Sequence, residues 1–163
     1  MSHQPVIDGF EFASAGAAQH GVLPVASFRR LRDLLASDAG EVAYEVEGAR
    51  DERGRPSLRV KVRGALQLRC QRCLEAMAHS VDAESLLVLA ATQAEIDAEP
   101  ADVEGPDRVV GGRDMRVADL VEDELILALP YAPRHEHCAA APVEGEGARS
   151  PFAGLRGLMR STH

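Results

Sequence analysis

The residues best suited to chemistry fall into two clusters far apart in the chain. They are Cys70-Gln71-Arg72-Cys73 and His135-Glu136-His137-Cys138. Two cysteines separated by two residues can grip one zinc ion from a single tight turn, because their sulfurs converge while nearby amides offset the thiolate charge. The second cluster would complete a tetrahedral Cys₃His set of Cys70, Cys73, His135 and Cys138. His137 is the rival fourth ligand, although its adjacency to Cys138 makes joint binding sterically awkward. Such a site leaves no coordination position for a substrate water, so the expected zinc is structural. Three other readings compete. One is a redox CxxC, which usually sits where a strand feeds a helix N-terminus. Another is a set of inert buried thiols. In the third, the downstream His-His-Cys group is an exposed loop that never meets the first pair.

Two further constellations concern charge. Glu122, Asp123 and Glu124 are consecutive, and paired carboxylates can perform acid/base work or hold magnesium. Consecutive helical positions diverge, however, so a solvated helix face is expected. No P-loop, GxGxxG or HExxH pattern is present, and no histidine or serine has a triad context. The chain is therefore expected not to be an enzyme. Alternate positions of one extended run carry Arg59, Lys61, Arg63 and Arg69, with Arg72 just beyond, a row that could meet successive phosphates. No aromatics interleave with it, which argues against base stacking from that row.

The elements that must position these groups are readable from periodicity. Leu58, Val60, Val62, Leu66, Leu68 and Cys70 share one parity, and the basic residues share the other, as in a strand with one packed face. A second extended run covers residues 74–90. Together they predict a long β-hairpin with the cysteine pair near its bend. Val42, Tyr44 and Val46 alternate with glutamates in an earlier strand, and residues 49–54 form a polar turn. Phe28, Leu31, Leu34 and Leu35 predict a helix over residues 24–36 with Ser27 as a candidate cap. Residues 91–112, acidic and broken by Pro100, Pro106 and Gly111-Gly112, predict a mobile loop. Val117, Leu120, Val121 and Leu125 predict a helix ended by Pro130.

The expected fold class is α+β: an antiparallel hairpin or sheet core with a few packed helices. A single domain spans residues 1–140, and residues 141–163 form a linker and short helical tail containing Phe152, Leu155 and Met159. The 163 residues carry a net charge of −8 and 45% apolar residues, enough for one core. The balance excludes a protein that coats nucleic acid over its whole surface. Charge is also segregated: residues 50–72 are rich in arginine, whereas residues 74–107 contain no Lys or Arg. Complementary pairing between neighbouring strands, or ordinary solvated faces, would account for this. No run is long enough to span a bilayer and the N-terminal residues lack a secretory pattern, so a cytoplasmic location with reduced thiols is expected.

Four blocks taken together resemble the YceD family, also called DUF177. They are residues 68–74 around Cys70 and Cys73, 120–130 ending at Pro130, 133–138 with His135 and Cys138, and 150–155 with Pro151 and Phe152. The resemblance implies an accessory factor in the synthesis, processing or stability of large-subunit (23S) ribosomal RNA, hence ribosome biogenesis. It also implies a precursor large subunit, through its RNA or a ribosomal protein, as partner, with no membrane and no small-molecule substrate. Some relatives carry cysteine where His135 stands, which favours His135 over His137 as ligand. Arg116 stands where relatives often place a capping Asp, leaving Asp114 as a candidate cap. An alternative is a protein-binding adaptor with a structural zinc site and no direct RNA contact.

Overall fold

A computed structural model describes residues 5–99 and 105–138. The elements in order are β1 (Val6–Ile7), α1 (Gly9–Ala15), β2 (Ala18–Pro24), β3 (Leu35–Ser37), β4 (Glu41–Arg50), β5 (Pro56–Arg69), β6 (Ala76–Ala90), α2 (Gln93–Ala98), β7 (Asp107–Val110), β8 (Met115–Arg116) and α3 (Val117–Ala128). Six strands form one sheet in the order β2-β4-β5-β6-β7, with β3 also paired to β5; β1 and β8 form a separate two-stranded ladder. All pairings are antiparallel except β6 with β7. This is the α+β class expected from the pattern.

The β5–β6 hairpin is the spine. Thirteen consecutive registered pairs run from Ser57↔Val88 to Arg69↔Ala76. Because side chains alternate across a strand, Leu58, Val60, Val62, Leu66, Leu68 and Cys70 all point inward and are buried. Helices α1 and α3 pack on that face, with Val117, Leu120, Val121 and Leu125 of α3 buried in the same cluster as the strand residues. Helix α1 crosses β4 closely at Gly48, whose backbone N–H donates to Ala17 O at 2.7 Å. A Cβ there would lie 2.2 Å from the Phe12 carbonyl oxygen.

Three expectations are corrected. Residues 24–36 do not form a helix. They make two short 3₁₀ turns, Val25–Ser27 and Arg32–Leu34, and then β3. The apolar residues Phe28, Leu31 and Leu35 are buried as anticipated, but the backbone N–H groups of Arg30 and Leu31 donate to Glu122 Oε1, at 2.5 and 3.2 Å. Those donors are unavailable to a helical ladder. Residues 91–112 are not one long loop: Thr92 caps α2 by accepting from Glu95 N, and β7 extends the sheet beside β6. The carboxylates of α3 are not all solvated, since Glu122 and Glu124 are buried. Arg116 occupies the N-cap position of α3 without a side-chain cap and instead bridges Asp119 at 2.8 Å. The helical tail expected within residues 141–163 lies outside the described residues.

Candidate metal centre

Cys70 directly follows β5, and its strand parity turns Sγ toward the buried face, where the residue is fully enclosed. The hairpin then bends. Leu74 N donates to Cys70 O at 2.9 Å and Cys70 N to Glu75 O at 2.9 Å. Leu74 adopts φ 65°, the left-handed region, and is the one non-glycine to do so among the described residues. That turn brings Cys73 back toward Cys70.

The second half of the cluster arrives from α3. Leu129 and Pro130 end the helix, and the extended arm that follows is tied to the turn by Gln71 N donating to Pro133 O at 2.8 Å. The Arg72 guanidinium donates to the Cys138 carbonyl. As a result the ligand atoms of Cys70, Cys73, His135 and Cys138 all lie within 4.8 Å of one another. Cys70 Sγ is 3.9 Å from Cys138 Sγ, and Cys73 Sγ is 3.4 Å from His135 Nδ1. Tetrahedral zinc with Zn–S near 2.3 Å and Zn–N near 2.0 Å requires edges of roughly 3.8 Å between sulfurs and 3.5 Å between sulfur and nitrogen. The donor set and its spacing therefore fit a metal ion. His137 is not in the group. His135 Nε2 lies 3.2 Å from Ala76 O; with its proton on Nε2, the ring donates there and leaves the Nδ1 lone pair facing Cys73.

The local field prepares the sulfurs. Backbone N–H groups of Cys73, His135 and Arg72, together with the Cys73 thiol, outweigh burial and draw the Cys70 thiol down to about 5. The Cys138 thiol is pushed up, by burial first and then by its neighbours Cys70 and Cys73. All three cysteines are free. The CxxC pair sits in a turn between two strands rather than at a helix N-terminus, so the usual setting of a redox CxxC is missing here.

The other constellations separate. Glu122 turns to Arg30, with Arg30 Nε 3.1 Å from its Oε2; Asp123 reaches Arg30 Nη1 at 2.5 Å. Glu124 accepts from Ser85 Oγ of β6 at 2.5 Å. Glu122 and Asp123 thus share Arg30 while Glu124 turns to β6, so the three carboxylates do not converge on a common point. Along β5, Arg59 Nη1 lies 3.2 Å from Glu84, Arg63 Nε 3.0 Å from Asp82, and Lys61 Nζ 3.7 and 3.8 Å from Glu45 and Glu47. The segregated charges are cross-strand partners. Arg69 and Arg72 make no salt bridge among the described residues. Sequence reasoning missed Arg30 as the partner of α3; periodicity only set Arg29, Arg30 and Arg32 away from the Phe28/Leu31/Leu35 stripe, and nothing in the local pattern pairs Arg30 with Glu122.

Fold and site together define an α+β protein whose longest hairpin ends in a Cys₃His cluster able to hold a metal. No helix among the described residues is long and apolar enough to cross a membrane. Residues 58–158 match the family described as large ribosomal RNA subunit accumulation protein YceD, and the chain belongs to that family. No curated protein matches the chain, and no solved structure does.

Proposed function

We propose that this protein is a cytoplasmic, non-enzymatic accessory factor in the accumulation of large-subunit (23S) ribosomal RNA, acting in its synthesis, processing or stability. The supporting observation is the family match across residues 58–158, which takes in both halves of the Cys/His cluster. A zinc ion held by Cys70, Cys73, His135 Nδ1 and Cys138 serves as a structural clamp. Closed tetrahedral coordination adds binding free energy to the pairing of the hairpin tip with the 131–138 arm. Ala76 O orients the imidazole, and the turn's amides stabilise Cys70 as thiolate.

The proposed partner is the precursor large subunit, with Arg59, Lys61, Arg63, Arg69 and Arg72 as contact residues. For the first three, the interleaved carboxylates favour a protein surface over bare phosphates, because like charge would repel RNA. That feature supports the adaptor reading for the open sheet face. Deleting the gene and measuring the ratio of large- to small-subunit rRNA tests the role: the ratio falls, and an unchanged ratio overturns it. Metal analysis of reduced protein purified without chelator tests the clamp. One equivalent of zinc is expected, and substoichiometric zinc in fully reduced material reassigns the cysteines as inert thiols.

A further inference from the structure

We infer that the metal-site end of the molecule is a contact face for single-stranded RNA, with Tyr131 stacking on a base and Arg69, Arg72 and Arg134 meeting phosphates. This rests on the reading of the protein as an rRNA factor and specifies which surface touches RNA and in what form.

Tyr131 is the starting point. The chain has six aromatic residues, two of them tyrosines; Tyr44 is buried, whereas Tyr131 is 105% exposed. A ring wholly in water gains nothing from packing, and its free π-face is what base stacking uses. The sequence separates it from the basic run by some sixty positions, but the fold does not. Pro133 O accepts from Gln71 N, Cys73 meets His135, and Arg72 reaches the Cys138 carbonyl. The arm carrying Tyr131 and Arg134 therefore lies along the turn that carries Arg72, with Arg69 at the strand end just before it. Leu74, 67% exposed on the same turn, adds an apolar contact suited to a sugar or base edge.

The cations at this end differ from those in the middle of β5. Arg59, Lys61 and Arg63 each face carboxylates, while Arg69, Arg72 and Arg134 are exposed and make no salt bridge among the described residues. Glu75 and Glu136 are exposed at the same end, so attraction to phosphate is local and modest, and stacking carries much of the binding. That combination selects a single strand. Bases in a duplex are already stacked and offer a protruding tyrosine no face.

Fluorescence anisotropy with a labelled decauridylate and full-length, zinc-loaded protein tests the assignment. Tyr131→Ala weakens binding about 5- to 150-fold, the range stacking contributes per base, while Tyr131→Phe, which keeps the ring, retains it. The double variant Arg69→Gln/Arg134→Gln lowers the slope of log affinity against log salt by about 1.4, at about 0.7 for each phosphate no longer neutralised. Arg59→Gln/Arg63→Gln has a smaller effect, and a duplex of matched length binds more weakly than the single strand. Unchanged zinc content and circular dichroism establish that each variant is folded. Binding by Tyr131→Ala equal to wild type, or equal binding of duplex, overturns the inference. If decauridylate does not bind but isolated large-subunit ribosomal proteins do, the face belongs to a protein partner and the inference fails. Complementation separates the two levels. A deletion strain with a normal rRNA ratio defeats the functional reading itself, whereas a lowered ratio restored equally by wild type and Tyr131→Ala defeats only the RNA face.

Discussion

Glu122 on α3 holds Arg30 at two points and its neighbour Leu31 at a third: it accepts from Arg30 N at 2.5 Å, from Arg30 Nε at 3.1 Å and from Leu31 N at 3.2 Å. One buried side chain thus supplies the hydrogen bonds that a helix over residues 24–36 would have supplied internally. Replacing it orphans two backbone donors and leaves the Arg30 guanidinium to Asp123 and the Asp119 carbonyl. Glu122→Ala is expected to cost about 2–4 kcal/mol, and Glu122→Gln, which keeps one acceptor, about 1 kcal/mol. Arg30→Ala costs less than about 1 kcal/mol because half of that side chain is in solvent. Urea midpoints at constant m-value measure all three; equal losses for Glu122→Ala and Arg30→Ala would show that the backbone contacts do not matter.

Removal of the proposed zinc is expected to loosen one end of the protein and leave the sheet intact. The Gln71 amide, whose acceptor Pro133 O sits on the clamped arm, is expected to exchange with deuterium faster after chelation. Amides of Val60 and Val62, in the centre of a hairpin held by ladder hydrogen bonds, keep their protection. Uniform acceleration across β5 would mean that the metal supports the whole fold instead.

Metal affinity rises with pH. Cys70, drawn down to about 5, is already ionised at neutral pH, so it releases no proton on binding. Cys138, pushed above its ordinary value, is protonated there and must lose its proton to coordinate. Higher pH favours the deprotonated ligand, so between about pH 6 and 8 apparent affinity climbs up to about tenfold per unit for each proton displaced. Calorimetric titration in two buffers of different ionisation enthalpy counts the protons, and the prediction is one or more. A pH-independent affinity contradicts it.

Gly48→Ala is expected to destabilise by about 1–3 kcal/mol. The added methyl meets the backbone of α1, at Phe12 O and Ala13 Cα, 2.2 and 2.9 Å from the Cβ position, and backbone cannot swing aside as a side chain can. Thermal unfolding reads the cost. Gly54→Ala separates strain from space, because its Cβ would meet nothing within 4 Å but its φ of +77° is unfavourable to alanine. A loss at Gly48 no larger than at Gly54 would remove the packing explanation.

What could be read from residues alone was whatever depends on neighbours in the chain. Parity placed Leu58 through Cys70 on one strand face, and the alternation at Val42, Tyr44 and Val46 marked β4. The 3.6-residue rhythm marked α3, ended at Pro130, because backbone geometry imposes these periods wherever one face is buried. The N-terminal elements were less legible: Asp8 caps α1 by accepting from Glu11 N, and that Asp-x-x-Glu spacing was the available signal. The donor types at residues 70–73 and 135–138 were visible too, as was the choice of His135 once relatives were considered.

Tertiary structure alone decided which distant groups meet. Periodicity cannot tell a helix from two 3₁₀ turns when Glu122, about ninety residues away, captures the amide donors. Nor can composition tell a phosphate-binding stripe from one neutralised across the ladder by Glu84, Asp82, Glu45 and Glu47. The approach of His135 and Cys138 to Cys70 and Cys73 depends on how α3 packs and where Pro133 docks. These are long-range contacts, set by the shape of the whole core rather than by any local preference of the chain.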